Sequence, residues 1–281
     1  MVRREFLLLP GAAAMLRAQT SQITARQVIE RIQKNVGVPW RAQSVDTIKD
    51  GNPETPVKGI ATTMMATFDV LQRAAAQNRN LVITHEPTFY SHEDKVEELA
   101  QDPIYQAKHA FIEKNTMVVF RFHDHWHAHR PDGILTGMVE ALGWEKYLAN
   151  RLITLPPTTL EDLAREVQTK LKIRTMRVIG DPKIKVTTVA YSPGYSSAGR
   201  ALSREGVDVV MIGEAREWEG IEYAQDVVAA GHKKGMIVMG HVVSEEQGMN
   251  NCAKWLKTFV TEVPVDFIPA GEPFWNPAVK A

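Results

Sequence analysis

Cysteine is almost absent from the 281 residues, and only Cys252 is present. A disulfide needs two thiols and a thiolate zinc site needs several, so the sequence excludes intramolecular disulfides and multi-cysteine zinc sites. Trp255, Leu256 and Phe259 follow Cys252 at the spacing of an amphipathic helix. We therefore interpret Cys252 as a small buried side chain, with a catalytic thiol as the alternative.

An excess of charge of either sign is also absent. The 33 lysine and arginine residues balance the 33 aspartate and glutamate residues, and no dense basic run occurs. Affinity for a phosphate backbone requires a local basic patch. The sequence therefore favours a small-molecule substrate and predicts no nucleic-acid partner.

Long apolar runs are missing as well. The run from Leu7 to Leu16 has about half of the ~20 residues that a membrane-spanning helix needs. It follows Arg3-Arg4 and precedes a possible cleavage region at Ala18-Gln19, which is typical of a twin-arginine signal peptide. We predict such a leader over residues 1–19, export to the periplasm and no membrane span. The alternative is an N-terminal helix, in which case the protein would be cytoplasmic.

Helix and strand patterns alternate along the rest of the chain. Thr24–Gln27 has a capping-box pattern that opens a helix. Asn80–Thr84 and Met117–Phe122 are short apolar runs, typical of parallel strands covered on both faces. This alternation predicts an α/β fold.

The best candidate for a boundary is the turn at Pro156-Pro157. We place an N-terminal α/β lobe at 20–155 and a C-terminal α/β lobe, which completes a metal site, at 156–281. The expected protomer is a two-lobed α/β/α sandwich-like fold with mixed sheets and a metal cleft between the lobes.

His85 and Glu86 follow the first of these apolar strands. Ligands in open α/β sheets lie beyond the carboxyl ends of the strands. An adjacent imidazole and carboxylate leaving a strand can reach two different ions, and Pro87 biases Glu86 towards an extended conformation. By itself the pair is also consistent with a solvated loop.

A histidine-rich segment follows the second strand. It contains His123, Asp124, His125, His127 and His129. Imidazole suits zinc, iron, nickel and copper, and a carboxylate adds manganese and magnesium. In an extended segment His123, His125 and His127 would share one face, whereas in a helical turn His123 and His127 would be neighbours. The alternative to a metal site is a polar surface loop.

His241 and Glu245 form the third group, directly after the strand Met236–Met239. Their i, i+4 spacing puts both on one face of a helical turn, where they can contact one ion or bridge two. Glu214 ends another strand, and we weigh a cleft position and a loop position equally. The segment Ser192–Ser196 is a candidate phosphate cradle, although it lacks the spacing of a P-loop.

Four motifs, taken in their order along the chain, resemble those of the NGG-one-interacting-factor-three-like proteins. They are Thr84-His85-Glu86-Pro87, His123–His127, Ile212-Gly213-Glu214, and Gly240-His241 through Glu245. The resemblance covers nearly all of the chain after the leader. It implies a dinuclear metal centre and a ring of six protomers whose sites face an internal cavity. The family's long inserted domain is absent, since only a short stretch separates Pro156 from Val207.

Two positions depart from the pattern that the resemblance implies. The second histidine of the first motif is Glu86 here, and the aspartate that bridges the two metals falls on His127. Asp124 is one candidate for the bridging role, and Glu245 alone is the other. The predicted metal ligands are therefore His85, Glu86, His123, Asp124, His127, His241 and Glu245.

The expected cofactor is a pair of divalent ions, with zinc, iron and manganese as the candidates. Two ions that share a water can lower its pKa, so we predict a metal-dependent hydrolase of unknown substrate. His125 and His129 are the predicted general acids or bases. The alternative is a non-catalytic metal-binding or metal-delivery protein, which the surplus of imidazoles favours.

Overall fold

The computed structural model describes residues 22–197 and 199–277. The signal peptide predicted for residues 1–19 lies outside the described residues. In chain order the helices are α1 (Ala25–Asn35), α2 (Phe68–Ala76), α3 (Pro103–Lys114), α4 (Asp124–Ala128), α5 (Gly133–Leu142), α6 (Leu160–Leu171), α7 (Gly199–Leu202), α8 (Glu222–Ala229) and α9 (His241–Leu256).

The strands are β1 (Ile48–Asp50), β2 (Ile60–Thr63), β3 (Leu81–Thr84), β4 (Val118–Arg121), β5 (Leu148–Ala149), β6 (Leu152–Thr159), β7 (Arg177–Ile179), β8 (Lys185–Tyr195), β9 (Val209–Glu214), β10 (Gly235–Val238) and β11 (Val265–Phe267). The predicted capping box is present at α1. The Thr24 hydroxyl accepts from the backbone N–H of Gln27, and the Gln27 side chain accepts from that of Thr24.

The first sheet has the strand order β1-β4-β3-β2-β11. The last four strands run parallel, and β1 is an antiparallel edge. Thr63 pairs with Thr84, and Thr84 pairs with Arg121, so the carboxyl ends of β2, β3 and β4 lie level. The side chains that follow β3 and β4 therefore leave the sheet at the same edge.

The second sheet has the strand order β5-β6-β8-β9-β10-β7. Its central strands β8, β9 and β10 are parallel, and the flanking strands are antiparallel. The expected α/β fold with two mixed sheets is confirmed. None of the helices among the described residues combines the length and apolarity needed to cross a membrane.

The chain passes between the two sheets more than once. β5 precedes residue 156 and β6 spans it, and both belong to the second sheet. β11, near the C-terminus, instead pairs with β2 of the first sheet. The division into lobes at residue 156 stays a prediction.

Helices cover both faces of each sheet. In the first sheet, alternate buried side chains such as Ile83 and Phe120 face α1 and α9, whereas Val82 and Val119 face α2 and α3. The second sheet packs against α5 and α6 on one face and against α7 and α8 on the other. Successive side chains of a strand point to opposite faces of the sheet, so each sheet packs against helices on both sides.

Helix α9 is held in place by a close crossing with α5. A Cβ atom on Gly137 would lie 2.2 Å from the carbonyl oxygen of Gln247, and one on Gly248 would lie 2.5 Å from the Cα of Ile134. The two helices therefore approach each other at positions where only glycine fits without a shift. This contact fixes the helix that carries His241 and Glu245.

Candidate metal centre

Three segments of the chain converge between the sheets. They supply His85 and Glu86 after β3, His123 and His127 around α4, and His241 and Glu245 from the first turn of α9. We call these six residues the His/Glu cluster. His85, Glu86 and His123 follow strands of the first sheet, whereas His241 follows β10 of the second, so the carboxyl ends of strands from two sheets meet here and not those of a single sheet.

The histidine-rich segment is helical, which decides between its two predicted geometries. Because α4 begins at Asp124, His123 and His127 become neighbours, with ring centroids 5.0 Å apart. Both imidazoles also contact His85, at 4.5 Å and 5.0 Å between centroids. His125 points to the opposite side of the turn, where its ring stacks on Trp40.

Two carboxylates lie among the imidazoles. Glu245 Oε1 is 3.8 Å from His127 Nε2, while its Oε2 is 3.8 Å from His85 Nε2 and 3.2 Å from His241 Nε2. Glu86 Oε1 is 3.2 Å from His241 Nε2 and 3.7 Å from His123 Nε2. Nε2 of each of the four imidazoles therefore faces a carboxylate oxygen of the cluster.

Two sets of ligand atoms are compact enough to hold an ion. His85 belongs to both, once with His123 and His127 and once with Glu86 and Glu245, and within each set the atoms lie within 4.8 Å of one another.

Each of these imidazoles is anchored through its other nitrogen. The Nδ1 partners are the Phe122 carbonyl at 3.2 Å for His85, Asp124 Oδ1 at 3.0 Å for His123, Asp132 Oδ2 at 3.3 Å for His127, and Glu214 Oε1 at 3.0 Å for His241. An acceptor at Nδ1 favours the tautomer that carries its proton there, which leaves the Nε2 lone pair free for an ion. All four rings are thus oriented with Nε2 towards the cluster.

Two buried atoms of the cluster have no hydrogen-bond partner. They are His85 Nε2 and Glu245 Oε2, on side chains that are 0% and 3% exposed. A buried acceptor without a partner costs free energy, and native structures rarely leave one unexplained. A cation between these atoms would satisfy both, so the residues present fit a metal ion.

Burial and charge set the protonation of the cluster. Burial lowers the pKa of His85 well below its usual value, and the neighbouring His123 and His127 lower it further. Burial would raise the pKa of Glu86, but the hydrogen bond with His241 and the charges of His123 and Arg121 lower it overall. His85 is therefore neutral and Glu86 is ionised, as metal ligands must be.

His241 carries the compensating proton in the metal-free protein. Burial alone would lower its pKa, but the hydrogen bond with Glu86 and the negative charges of Glu245 and Glu86 raise it to about 11. A protonated His241 therefore balances part of the charge of the two carboxylates, and a metal ion must displace that proton to bind there.

We expect this proton to make the metal-free protein less stable in alkali. The pKa of His241 is about 11 in the folded chain and about 6.5 when unfolded. Its contribution to stability is thus complete below pH 6.5 and is lost as the pH rises towards 11. Urea unfolding of metal-free protein at pH 7 and pH 9.5 should show a larger loss for the wild type than for His241→Gln. Equal losses in the two proteins would contradict this assignment.

Comparison with known proteins assigns the chain to a family. The family profile of Duf34/NIF3 (NGG1p interacting factor 3) matches residues 23–273. The chain belongs to the Duf34/NIF3 family. The resemblance inferred from the four ordered motifs is therefore confirmed.

A curated relative and solved structures agree with this assignment. A protein of Clostridium acetobutylicum named GTP cyclohydrolase 1 type 2 homolog is 28% identical over 200 residues, which cover 65% of this chain and 73% of the relative. A hypothetical protein of Staphylococcus aureus superposes with a TM-score of 0.75 at 16% identity, covering 90% of this chain and 99% of the other. A Bacillus cereus protein related to NIF3 gives 0.73 at 14% identity, covering 93% and 100%. At these identities the solved structures show the shared fold alone.

Asp124 of this NIF3 chain lies behind His123, outside the ring of ligand atoms. Its Oδ1 contacts His123 Nδ1, and its Oδ2 accepts from the Ser44 hydroxyl at 3.2 Å and lies 3.4 Å from the Arg41 guanidinium. Asp124 is therefore placed to orient His123, and its predicted role as a metal ligand stays a prediction without a supporting contact. Of the two bridging candidates, Glu245 is the one among the imidazoles.

The two predicted acid–base histidines also lie away from the cluster. His125 is fully buried, its Nδ1 is 2.6 Å from Asp46, and its Nε2 accepts from the Arg41 backbone N–H. The Nδ1 of His129 contacts the Pro131 carbonyl. Both ring nitrogens of His125 are thus engaged in structural contacts, and the predicted acid–base roles gain no support from the geometry.

Three residues that position the cluster were not identified from the sequence. Asp46 accepts the backbone N–H groups of His123, Asp124 and His125, and so fixes the start of α4. Asp132 caps α5 and also holds His127. Arg121, in a strand of otherwise apolar side chains, contacts Glu86. Only Arg121 carried a sequence signal, namely a charge inside a buried run.

The structure also places the other residues that the sequence singled out, namely Glu214, the segment Ser192–Ser196 and Cys252. Glu214 lies at the cleft, where it holds His241. The segment Ser192–Ser196 overlaps the end of β8 and packs against the cluster, where a Cβ on Gly194 would lie 2.7 Å from Glu245 Oε1. Cys252 is fully buried, and burial raises the pKa of its thiol.

Proposed function

We propose that the chain binds two divalent metal ions in the His/Glu cluster and is a metal-dependent hydrolase of a small-molecule substrate. One observation carries the proposal: four imidazoles, each anchored at Nδ1, turn Nε2 towards two carboxylates. A set of ligands that lacks thiolate suits zinc, iron or manganese. The two compact sets share His85, whose free Nε2 lone pair binds one ion, so the second ion of the proposal is supported by the family resemblance.

Ions held there would supply Lewis acidity and lower the pKa of water enough for attack at neutral pH. Glu245 and Arg121 would have separate roles around the ions. Glu245, in contact range of three imidazoles, would hold the ions through its carboxylate. Arg121 occupies Oε2 of Glu86 at 3.1 Å, which leaves Oε1 for the cluster.

Solvent reaches three of the four imidazoles. The His123, His127 and His241 side chains are 21%, 26% and 20% exposed, whereas His85 is 0% exposed. A purely structural metal site is closed on all sides, and a catalytic site keeps an open position. The access of solvent to the cluster therefore supports catalysis.

Hydrolysis can be measured directly. Metal-replete protein should turn over a compound from a panel of phosphoesters, amides and cyclic amidines. The activity should vanish after chelation and return on reloading, and His241→Ala should lack it. Absence of turnover on all three classes, with two ions still bound, would contradict the hydrolase. Rapid transfer of the ions to a competing chelator would then favour metal delivery.

Export and assembly are further proposals. The twin-arginine pattern at Arg3-Arg4 supports export to the periplasm. The family resemblance supports a homohexamer. Cell fractionation and analytical ultracentrifugation test the two proposals separately.

A further inference from the structure

A cavity of about 550 Å³ opens beside the His/Glu cluster. Its walls are β7, the start of α9, the end of β9 and residues 272–276. His241 and its anchor Glu214 both line it. A molecule in this cavity therefore lies against His241, a member of the cluster that solvent reaches.

Two aromatic rings form the outer wall. Phe274 and Trp275 are 65% and 72% exposed, and neither ring has a stacking or hydrogen-bond partner among the described residues. Large aromatic side chains contribute most to binding where they cover a flat apolar surface. Exposed aromatics that border a cavity thus mark a surface for a ligand.

The segment that carries these rings is pinned to the protein. Glu272 is nearly buried, and its carboxylate accepts the backbone N–H groups of Arg174 at 2.7 Å and Thr175 at 2.9 Å. The Gly271 N–H donates to Glu246 Oε1 at 2.9 Å. These contacts fix the backbone just before the two rings, so binding has to order the side chains of the wall but not its attachment to the protein. Glu246 also ties the wall to α9, next to Glu245.

We propose that this cavity is the substrate pocket and that it takes a flat aromatic ring bearing hydrogen-bond acceptors, stacked on Trp275 and Phe274. This rests on the proposed function, because it names the substrate class of the same site. Arg177 on β7 lines the same cavity, and among the described residues only its Nη1 pairs with another side chain, 3.5 Å from Glu217 Oε1. The remaining guanidinium N–H groups form a planar fork of donors, which suits acceptors at the edge of a flat heterocycle.

The size of the cavity favours a small molecule over a protein partner. Small-ligand pockets span about 300–1,000 Å³ and are mostly apolar with a few polar groups. This cavity has that volume, and its polar groups are few and lie on separate segments.

Binding can be measured with the full chain in both metal-free and metal-loaded forms. The probes are inosine, nicotinamide and pterin, with ribose and cyclohexanecarboxamide as matched compounds that lack an aromatic ring. Saturation-transfer NMR and equilibrium dialysis should detect at least one aromatic probe and neither control. Trp275→Ala should weaken binding about tenfold, as expected from the loss of a stacking platform.

Trp218→Ala is the matched control. Trp218 is equally exposed, at 71%, and does not line the cavity. Its variant should bind the probe within twofold of the wild type. If no aromatic probe binds while metal is retained, the pocket assignment is overturned and the proposed function stands. If probes bind but neither metal nor hydrolysis is found, the proposed function fails alone.

A third outcome also overturns the pocket. If Trp275→Ala lowers the sedimentation coefficient and leaves probe binding unchanged, the two rings belong to an interface between copies of the chain.

Discussion

Replacing Glu245 by glutamine is expected to lower divalent-metal affinity by more than the roughly 10–100-fold that accompanies loss of an orienting partner. Glu245 is 2% exposed and contacts Nε2 of His85, His127 and His241. The amide has nearly the same shape but lacks the charge, and its NH2 group would donate to one of those nitrogens. The variant thus removes the carboxylate that three imidazoles share.

Glu246→Gln provides the control, because Glu246 is the next residue on the same helix and faces Gly271 instead of the cluster. Both variants are dialysed against limiting zinc, iron or manganese, and the metal content is measured by mass spectrometry. The Glu246 variant should retain the wild-type content. Wild-type stoichiometry and affinity in Glu245→Gln would remove Glu245 from the centre.

The sequence was sufficient to predict the members of the cluster that follow strands. His85 and Glu86 come directly after a buried strand, and His241 and Glu245 follow another at helical spacing. Parallel pairing of β3 and β4 puts His85 and His123 at one edge of the first sheet, whereas His241 and Glu245 follow a strand of the second sheet, so their approach depends on how the two sheets pack. Local pattern and site geometry agree here because each ligand is placed by the element next to it.

His125 shows where local pattern is insufficient. Whether the segment is extended or helical decides which histidines share a face, and the choice depends on Asp46. That carboxylate, 77 residues before His123, accepts three N–H groups at the start of α4 and also binds His125 itself. No spacing rule connects Asp46 with this segment, so the inward turn of His127 and the outward turn of His125 are tertiary effects.

The sequence also did not indicate which of the two sheets each strand joins. Val265–Phe267 alternates apolar and charged side chains, and this pattern does not indicate which sheet the segment joins. In the structure this strand returns to β2, while β5 joins the second sheet. Pairing partners depend on helix α9, which contacts both sheets and brings the chain back to the first.

Replacing Arg121 by methionine is expected to destabilise the metal-free protein by about 3–5 kcal/mol, the cost of breaking a buried ion pair by removing one partner. Arg121 is fully buried. It donates to the carbonyl of His85 and to that of His92, and it pairs with Glu86 at 3.1 Å and with Asp94 at 3.6 Å. Methionine fills much of the same space but leaves these acceptors without their donor.

Urea denaturation of the metal-free chain measures the loss. Arg165→Met is the control, since Arg165 is 72% exposed and pairs only at the surface, and its urea midpoint should hardly move. The double variant Arg121→Met/Glu86→Gln should recover part of the stability, because it also removes the carboxylate left unpaired. The two carbonyls still lack donors, so the recovery should be incomplete. A double variant as unstable as the sum of the single variants would show that Arg121 does not act through Glu86.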